Sequence, residues 1–321
     1  MSGRHWLQVP LFLLLALLLA LLLLSQLLTD RLGPLQFLWW VPRFVYAVPA
    51  VLGFAVLLAW GLCRRWPPRQ CRALALWLAV AVGLGAFTMR NDWGLGRTRD
   101  PDAFRFAHWN ACWVEKSQSE WAVEALLSFN ADATLVTDPG AAFAEGGAQR
   151  LEDAGFRIVR AGSFAMVSRV PITEARPVYN ARGRALSRFT LETPLGPLRI
   201  DAVDLPSETT LPRFMSMRTF VGAIEGLRGE PADIISGDFN ITRGSASLEL
   251  LVGDARDAFA TAGVGWGGTY PRRLPLFPID LTQVRAPWRA VWADVVDPGF
   301  ERHCAQRVDL VRDASPSFNG H

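Results

Sequence analysis

The chain has 321 residues, a formal net charge of +3 and 50% hydrophobic residues, which are concentrated before residue 90. This distribution excludes an ordinary soluble single-domain protein. The positive charge comes almost wholly from arginine, because Lys116 is the only lysine, and after residue 100 the arginines alternate with acidic residues. A nucleic-acid-binding face is expected to be a basic cluster, so the sequence argues against nucleic acid as the partner.

Residues 1–89 are predicted to form a membrane anchor with three transmembrane helices, at about 7–28, 45–63 and 73–89. The first segment is almost entirely apolar, and at about 1.5 Å per residue it spans a hydrocarbon core of about 30 Å. A cleaved signal peptide is the alternative for this segment. Its apolar region would be shorter, however, and a cleavage site of small residues would follow.

The loop from Arg64 to Arg72 is the densest short positive segment of the chain. The positive-inside rule places such a loop in the cytoplasm. Three spans then predict an integral membrane protein with a cytoplasmic N-terminus and an extracytoplasmic C-terminal domain. Residues 90–103 are polar and contain Gly94, Gly96 and Pro101, which predicts a tether before a folded domain at 104–315.

The region after the tether alternates short apolar segments with a few helical patterns. Phe104–Asn110 predicts a strand, apolar spacing predicts a helix that ends near Phe129, and a strand at Ala133–Thr137 leads to Asp138. A second helical pattern precedes another short strand before Asp238. The remaining predicted strands cover about 164–167, 188–192, 198–203, 279–284, 291–296 and 307–311. Many strands with few helices predict an α+β fold in which two sheets form a sandwich with helices outside.

Polar side chains stand at or near the ends of these predicted strands. They are Asn110, Asp138, Asp204, Asp238, Asn240, Asp280 and His303. Loops at one rim of a sandwich can bring such residues into one site, and oxygen ligands without cysteine suit Mg²⁺ or Mn²⁺ better than zinc.

Ordinary structural roles compete with these assignments. Asp238, Asn240 and Asp138 have the composition of turns, His303 could pair with Glu301 at the surface, and His108 is interpreted as a strand residue without chemistry. The cysteines Cys112 and Cys304 are either a disulfide of an exported domain or two buried thiols. The sequence contains no signal for an oligomeric state.

Several segments occur in the order found in one enzyme superfamily. They are Trp109–Asn110, NADATLVTDP at 130–139, SRVPI at 168–172, VDLP at 203–206, SGDFN at 236–240, Thr269–Pro271 with Ile279–Asp280, and His303. Together they resemble the endonuclease/exonuclease/phosphatase (DNase I-like) superfamily over about two hundred residues. SGDFN is the most specific of these matches.

The resemblance implies a four-layer αββα sandwich and a role for each matching residue. Asn110, Asp138 and Asp280 would lie at the divalent metal, with Asp280 also a candidate to orient His303. Asp238 would orient or activate the water nucleophile, Asn240 would contact the scissile phosphate, and His303 would act on the phosphate or its nucleophile. Arg302 is the candidate for substrate binding.

The chain departs from the family pattern at four positions. Asp138 replaces a glutamate, Asp204 and Leu281 replace histidines, and Arg302 replaces the aspartate before His303. The overall plan resembles membrane-bound bacterial members of the superfamily, which implies a metal-dependent phosphoesterase or pyrophosphatase of the bacterial cell membrane acting on a lipid-linked phosphate. The departures motivate an alternative, a catalytically impaired envelope binding or scaffolding module. A nuclease is the weaker alternative.

Overall fold

The computed structural model describes residues 8–96, 98–144 and 146–313. Chain contacts divide the protein into two compact units. The first comprises Met1–Arg90 with Pro212–Phe214, and the second comprises Asn91–Leu211 with Met215–His321.

The first unit is helical. Its helices are α1 (Gln8–Leu28), α2 (Gln36–Trp40), α3 (Arg43–Cys63) and α4 (Pro68–Met89). Of these, α1, α3 and α4 are long and apolar enough to cross a membrane. Their contacts centre on Leu15, Phe54 and Ala81, while many other leucines and valines stay exposed on the outside of the bundle. The observed helices match the three predicted segments, except that α4 begins five residues early, at Pro68, because proline is well tolerated in a first helical turn.

In its described residues, the second unit contains short strands and five α-helices. The strands are β1 (Trp93–Leu95), β2 (Phe104–Asn110), β3 (Ala133–Thr137), β4 (Arg157–Ala161), β5 (Phe164–Ser168), β6 (Ile172–Ala181), β7 (Arg184–Thr193), β8 (Gly196–Asp204), β9 (Ile234–Asp238), β10 (Arg256–Asp257), β11 (Val264–Trp266), β12 (Asp280–Val284), β13 (Trp288–Val296) and β14 (Ala305–Arg312). The helices are α5 (Ser119–Ser128), α6 (Gly147–Asp153), α7 (Arg213–Ile224), α8 (Ala246–Val252) and α9 (Ala258–Ala262).

Twelve of these strands form two six-stranded sheets. Their orders are β13-β14-β2-β3-β5-β4 and β10-β12-β9-β8-β7-β6. Apolar side chains of both sheets, such as Phe106, Leu135 and Phe189, share one core. Helices α5 and α6 cover the outer face of the first sheet through residues such as Leu126, and α7 and α8 cover the second through residues such as Phe220. The layers are therefore helix, sheet, sheet, helix, as the resemblance implies.

The segment predicted as a tether contains a strand of the second unit. β1 pairs antiparallel with β11, and the Asp92 carboxylate lies 3.4 Å from the Arg243 guanidinium. A Cβ on Gly94 would come within 1.9 Å of the Gly263 carbonyl oxygen. Gly94, which suggested flexibility in the sequence, therefore allows the two backbones to approach closely, because glycine has no Cβ.

Candidate active site

Sheet topology brings the predicted residues to one edge of the sandwich. β8 and β9 are parallel and in register, so that Asp204 and Asp238 lie side by side at their carboxyl ends. β12 runs antiparallel to β9, and its first residue, Asp280, is the register partner of Asp238. In the other sheet, β2 and β3 are parallel, which brings Asn110 beside Thr137, the residue before Asp138.

Asp238 lies at the centre of the hydrogen bonds at this edge. Its side chain is 3% exposed; Oδ2 accepts a hydrogen bond from Asn110 Nδ2 at 2.8 Å, and Oδ1 accepts one from the Asn240 backbone N–H at 2.8 Å. The Asn240 side chain donates to the Leu205 carbonyl at 2.8 Å, and Asn110 Oδ1 accepts from the Cys112 backbone N–H at 2.9 Å. Both asparagines are therefore held in place by the loops around them.

The backbone conformation and packing of the SGDFN motif also require several of its residues. A Cβ on Gly237 would lie 1.8 Å from the Val203 carbonyl oxygen, so that only glycine fits. Asn240 has a φ of 48°, a left-handed conformation that asparagine adopts more readily than most residues. Phe239 between the polar residues is fully buried, which anchors the turn.

His303 and Asp280 form a hydrogen-bonded pair. Nδ1 of His303 lies 2.8 Å from Oδ2 of Asp280, and Nε2 lies 4.0 Å from Oδ2 of Asp238. Thr269 Oγ1 accepts a hydrogen bond from the Asp280 backbone N–H at 3.1 Å, and the Tyr270 ring lies 4.8 Å from the imidazole centroid. The carboxylate thus fixes the orientation of the ring and leaves Nε2 facing the site.

His108 is a component of this site that sequence reasoning missed. The side chain is completely buried; Nδ1 lies 3.8 Å from Asp280 Oδ1, and Nε2 lies 3.0 Å from Thr137 Oγ1. Both oxygens of Asp280 therefore face imidazole rings. The available signal was strand periodicity, because His108 stands two residues before Asn110 and shares its face of β2.

Comparison with known proteins supports the architecture. No family model and no curated protein matches the chain. An endonuclease/exonuclease/phosphatase family protein from Bacteroides thetaiotaomicron is similar in structure, with a TM-score of 0.51, 17% identity, and coverage of 70% of this chain and 100% of that one. Another such protein, from Bacteroides vulgatus, has a TM-score of 0.50 and 15% identity, and covers 65% of this chain and 99% of its own.

The second unit has the DNase I-like fold of the endonuclease/exonuclease/phosphatase family. Within this DNase I-like domain, the matching residues Asn110, Asp138, Asp204, Asp238, Asp280 and His303 lie at the edge that holds Asp238, whereas SRVPI begins at the other end of its sheet, where Ser168 pairs with Ala133. Leu281, which replaces a family histidine, is buried against α7 and α8 on the opposite face of the sheet from Asp280. That departure consequently removes no group from the site face of this chain.

The carboxyl groups of Asp138, Asp204 and Asp238, here called the acidic cluster, all have raised pKa values. Burial raises the pKa of Asp204 to about 8, and the charges of Asp238, Asp138 and Asp280 add to the rise. Burial and the charge of Asp280 raise the pKa of Asp238 to about 7, against the opposing effect of His303. Burial also raises the pKa of Asp138. Asp204, a doubtful candidate from sequence, therefore belongs to the acidic cluster.

The pKa shifts of His303 and Asp280 favour the charged forms of both side chains. Burial alone would lower the pKa of His303, but the charge of Asp280 and the hydrogen bond to it raise that pKa to about 12. The pKa of Asp280 is lowered, because the charge and hydrogen bond of His303 outweigh its burial. Burial lowers the pKa of His108 to about 4, which keeps that ring neutral. The site therefore combines an imidazolium and an ionised Asp280 with the carboxyls of Asp204 and Asp238, whose raised pKa values disfavour ionisation.

The acidic cluster fits a divalent cation. Among the described residues, no arginine or lysine forms an ion pair with Asp138, Asp204 or Asp238; Asp238 is buried with His303 Nε2 at 4.0 Å, and Asp138 and Asp204 are half-buried. Several carboxylates that share one imidazolium are costly to ionise unless a metal balances them. The ligand atoms of Asp238, Asp280 and His303 lie within 4.8 Å of one another and could hold such an ion, with Asp138 and Asp204 as further carboxyls near enough to act on each other electrostatically. Oxygen donors suit Mg²⁺ or Mn²⁺.

The predicted roles of Asp280 and Arg302 stay predictions. Both Asp280 oxygens face histidine rings, and the hydrogen bond from His303 supports the predicted orienting role of Asp280 beside its predicted role at the metal. The side chain of Arg302 is exposed, and no described hydrogen bond or ion pair joins it to the cluster, so its part in substrate binding stays a prediction.

The cysteines near the site are thiols in the structure. Cys112 is partly buried and Cys304 is buried, and neither forms a disulfide. Burial raises the pKa of Cys304 to about 11, which makes it unreactive at neutral pH. The sequence left two interpretations for Cys112 and Cys304, a disulfide or two thiols, and the structure contains two thiols.

Proposed function

We propose that the DNase I-like domain is a divalent-cation-dependent phosphoesterase or pyrophosphatase, and that its substrate phosphate is carried by a lipid. The observation that carries the proposal is the arrangement of His303 and Asp238. An imidazole oriented by Asp280 presents Nε2 at 4.0 Å from a carboxylate that is itself hydrogen-bonded to two asparagines. Such a pre-oriented pair of a base and an acid is what phosphate ester hydrolysis requires.

Asp238 and His303 have complementary protonation properties. A pKa of about 7 allows Asp238 to accept a proton from an attacking water near neutral pH, where general-base catalysis is most efficient. His303, whose pKa is about 12, is an imidazolium at that pH and can donate hydrogen bonds to phosphate oxygens as negative charge develops on them. A bound divalent cation would neutralise part of the phosphate charge.

Asn240 is positioned to contribute to phosphate binding. One N–H of its amide is used in the hydrogen bond to Leu205, and its backbone is fixed by Asp238. An anchored amide next to the base can contact a phosphate oxygen without a further loss of conformational freedom. Asn110 supports the base from the other sheet by donating to Asp238 Oδ2.

The helices of the first unit motivate the choice of a lipid-linked substrate. Three of them are long and apolar enough to cross a membrane. A catalytic domain anchored in a bilayer meets substrates in the same bilayer at a high effective concentration, whereas soluble substrates gain little. The positive segment between α3 and α4 supports an extracytoplasmic location for the domain.

The acidic cluster is also the observation that favours a second candidate, a binding or scaffolding module without catalysis. Asp204 places a carboxyl with a pKa of about 8 at a position where the resemblance implies a phosphate-facing histidine. Without a cation, this carboxyl is mostly neutral at pH 7 and supplies no positive charge to a phosphate substrate, and above about pH 8 it would repel one. The two candidates therefore differ in whether the acidic cluster binds a divalent ion and supports turnover.

The deciding experiment uses the full-length protein in lipid nanodiscs with Mg²⁺ or Mn²⁺. Phosphate monoesters, phosphate diesters and polyprenyl pyrophosphates are offered as substrates, and the release of phosphate or alcohol is measured. We expect cation-dependent hydrolysis that Asp238→Asn abolishes. The control is Asp254→Asn, which changes an exposed carboxylate paired only with Arg285. No turnover with any of these substrates would favour the binding module.

A further inference from the structure

Trp113 is an exposed tryptophan at the edge of the candidate active site. Its side chain is 66% exposed, and it follows Asn110 by three residues in the loop after β2. A single exposed apolar residue is normal on a protein surface. Trp113 differs from an ordinary one because the loop that carries it is strained and tightly held.

The backbone around Trp113 adopts an uncommon conformation. Cys112 has a φ of 51° and Trp113 a φ of 62°, so two successive residues with side chains lie in the left-handed region. Such strain persists only where surrounding contacts determine it, and it is concentrated at functional sites. The Cys112 N–H is held by Asn110 Oδ1 at 2.9 Å, which ties the start of this strained segment to a site residue.

The strand-end loop that contains Asp138 holds Trp113 from the other side. The Trp113 N–H donates to the Asp138 carbonyl at 2.8 Å, and the Ala141 N–H donates to the Val114 carbonyl at 2.8 Å. A Cβ on Gly140 would lie 2.6 Å from the carbonyl carbon of Trp113. The two loops are thus in direct backbone contact, and the position of the exposed indole is fixed relative to Asp138.

The side chain of Trp113 also approaches the acidic cluster. Hydrogen bonding from it opposes the rise that burial causes in the pKa of the Asp138 carboxyl. Its neighbour Cys112 contributes to the raised pKa of His303. The backbone contacts with Asp138 place the Trp113 indole at the rim of the site, where the organic group of an ester could extend over a rigid apolar surface.

We propose that Trp113 binds the hydrocarbon adjoining the phosphate of a lipid-linked substrate, and so determines the specificity of the site for alkyl or isoprenoid esters. This inference rests on the proposed function. An indole offers a large apolar face with little conformational entropy to lose. None of the described cation–π contacts involves Trp113, so the ring is not occupied by an arginine. A hydrocarbon is favoured over a nucleobase because the same chain carries three membrane-compatible helices.

The test compares n-alkyl phosphates from methyl to decyl as substrates of the full-length protein with Mn²⁺. For the wild type, we expect kcat/KM to rise with chain length over the first several carbons. Trp113→Ala is expected to lower the ratio of kcat/KM for decyl phosphate to kcat/KM for methyl phosphate about tenfold or more, since burial of a large apolar group is lost. Trp113→Phe should keep most of the chain-length dependence.

The matched control is Trp121→Ala, which removes a tryptophan of similar exposure, 60%, that contacts Phe300 on the surface of α5. It should retain the wild-type dependence on chain length. An equal loss for methyl and decyl phosphate in Trp113→Ala would show a structural role for the loop and overturn the proposal. The proposal would also be overturned if Trp113→Ala lowered kcat/KM for neither substrate. It would be overturned as well if nucleoside monophosphates, offered in parallel, were the substrates whose kcat/KM alone depended on Trp113.

Failure of the proposed function is distinguishable from failure of this inference. If the wild type hydrolyses none of the alkyl phosphates, the comparison is made on binding of methyl and decyl phosphonate with Mn²⁺ by titration calorimetry. Tighter binding of decyl phosphonate that Trp113→Ala removes would support the subsite on a non-catalytic protein. Equal affinities of the two proteins for decyl phosphonate would overturn it.

Discussion

The Asp280 carboxylate lies between two imidazole rings, with Oδ2 at 2.8 Å from Nδ1 of His303 and Oδ1 at 3.8 Å from Nδ1 of His108. It is fully buried, and its backbone N–H is held by Thr269. The hydrogen bond to Nδ1 allows Asp280 to orient the His303 ring, whereas its Oδ1 accepts no hydrogen bond from a described residue. This orienting role is compatible with the predicted place of Asp280 at the metal, because its ligand atom also lies near those of Asp238 and His303.

The first prediction concerns this orienting role. Asp280→Asn keeps the shape of the side chain but removes the charge that holds His303 as an imidazolium. We expect kcat with saturating Mn²⁺ to fall about a hundredfold or more, with a small change in KM, because the interaction matters most as charge develops. Steady-state kinetics on an alkyl phosphate provides the measurement. A large rise in KM with an unchanged kcat would contradict the assignment.

The second prediction concerns stability in the absence of a cation. The pKa values of Asp204 and Asp238 are raised from 3.8 to about 8 and about 7, so between about pH 4 and pH 8 the folded protein binds more protons than the unfolded chain. The unfolding free energy therefore falls as pH rises through this window. His303, raised to about 12 from 6.5, acts in the same direction above about pH 6.5.

Thermal unfolding of the protein in EDTA, followed between pH 5 and pH 8, tests this expectation. The apparent Tm should decline with pH, and Asp204→Asn should make the decline shallower because one raised carboxyl is removed. The control Asp254→Asn, at an exposed position, should keep the wild-type slope. An identical slope in Asp204→Asn and the wild type would show that Asp204 does not contribute.

The third prediction concerns the cation itself. Mn²⁺ competes with protons for the raised carboxylates, so its affinity should increase by up to about tenfold per pH unit between pH 6 and pH 8. The stabilisation by a fixed concentration of Mn²⁺ should consequently be larger at pH 8 than at pH 6. Calorimetric titration measures the affinity directly. Asp204→Asn should weaken binding, and equal affinity at both pH values would argue against these carboxylates as ligands.

The fourth prediction concerns the segment at 91–96. Asp92→Ala removes one of the two carboxylates that contact the buried Arg243 guanidinium, the other being Asp257 at 2.9 Å. Loss of one partner in a buried network costs about 1–3 kcal/mol, and β1 should detach more readily from β11. Limited trypsin digestion should then cleave faster at the arginines on either side of β1. An unchanged cleavage rate would show that Asp92 is not needed for docking.

Strand-end positions were the part of the site that sequence could predict best. Alternation along β2 and β9 predicts that Asn110 and Asp238 end buried strands, and the structure pairs them directly at 2.8 Å. Long continuous apolar runs located α1 and α3, and apolar patterns located most of the long strands.

Contacts between distant segments explain what sequence reasoning missed. His108 looked inert because nothing along the chain indicates that Asp280 lies across the sandwich from it. β1 was missed because a three-residue strand has no periodicity, and its partner β11 is about 170 residues away. The edge strand β6 was missed for another reason: its pattern of partial burial does not alternate clearly.

The central claim is tested most directly by cation-dependent hydrolysis of a polyprenyl pyrophosphate by the full-length protein and its Asp238→Asn variant. The account predicts phosphate release by the wild type that requires Mg²⁺ or Mn²⁺, and a loss of at least about a hundredfold in the variant, whose folded state is verified by a cooperative thermal transition above the assay temperature. Equal turnover by the two proteins, or turnover of the wild type that EDTA leaves unchanged, would contradict it.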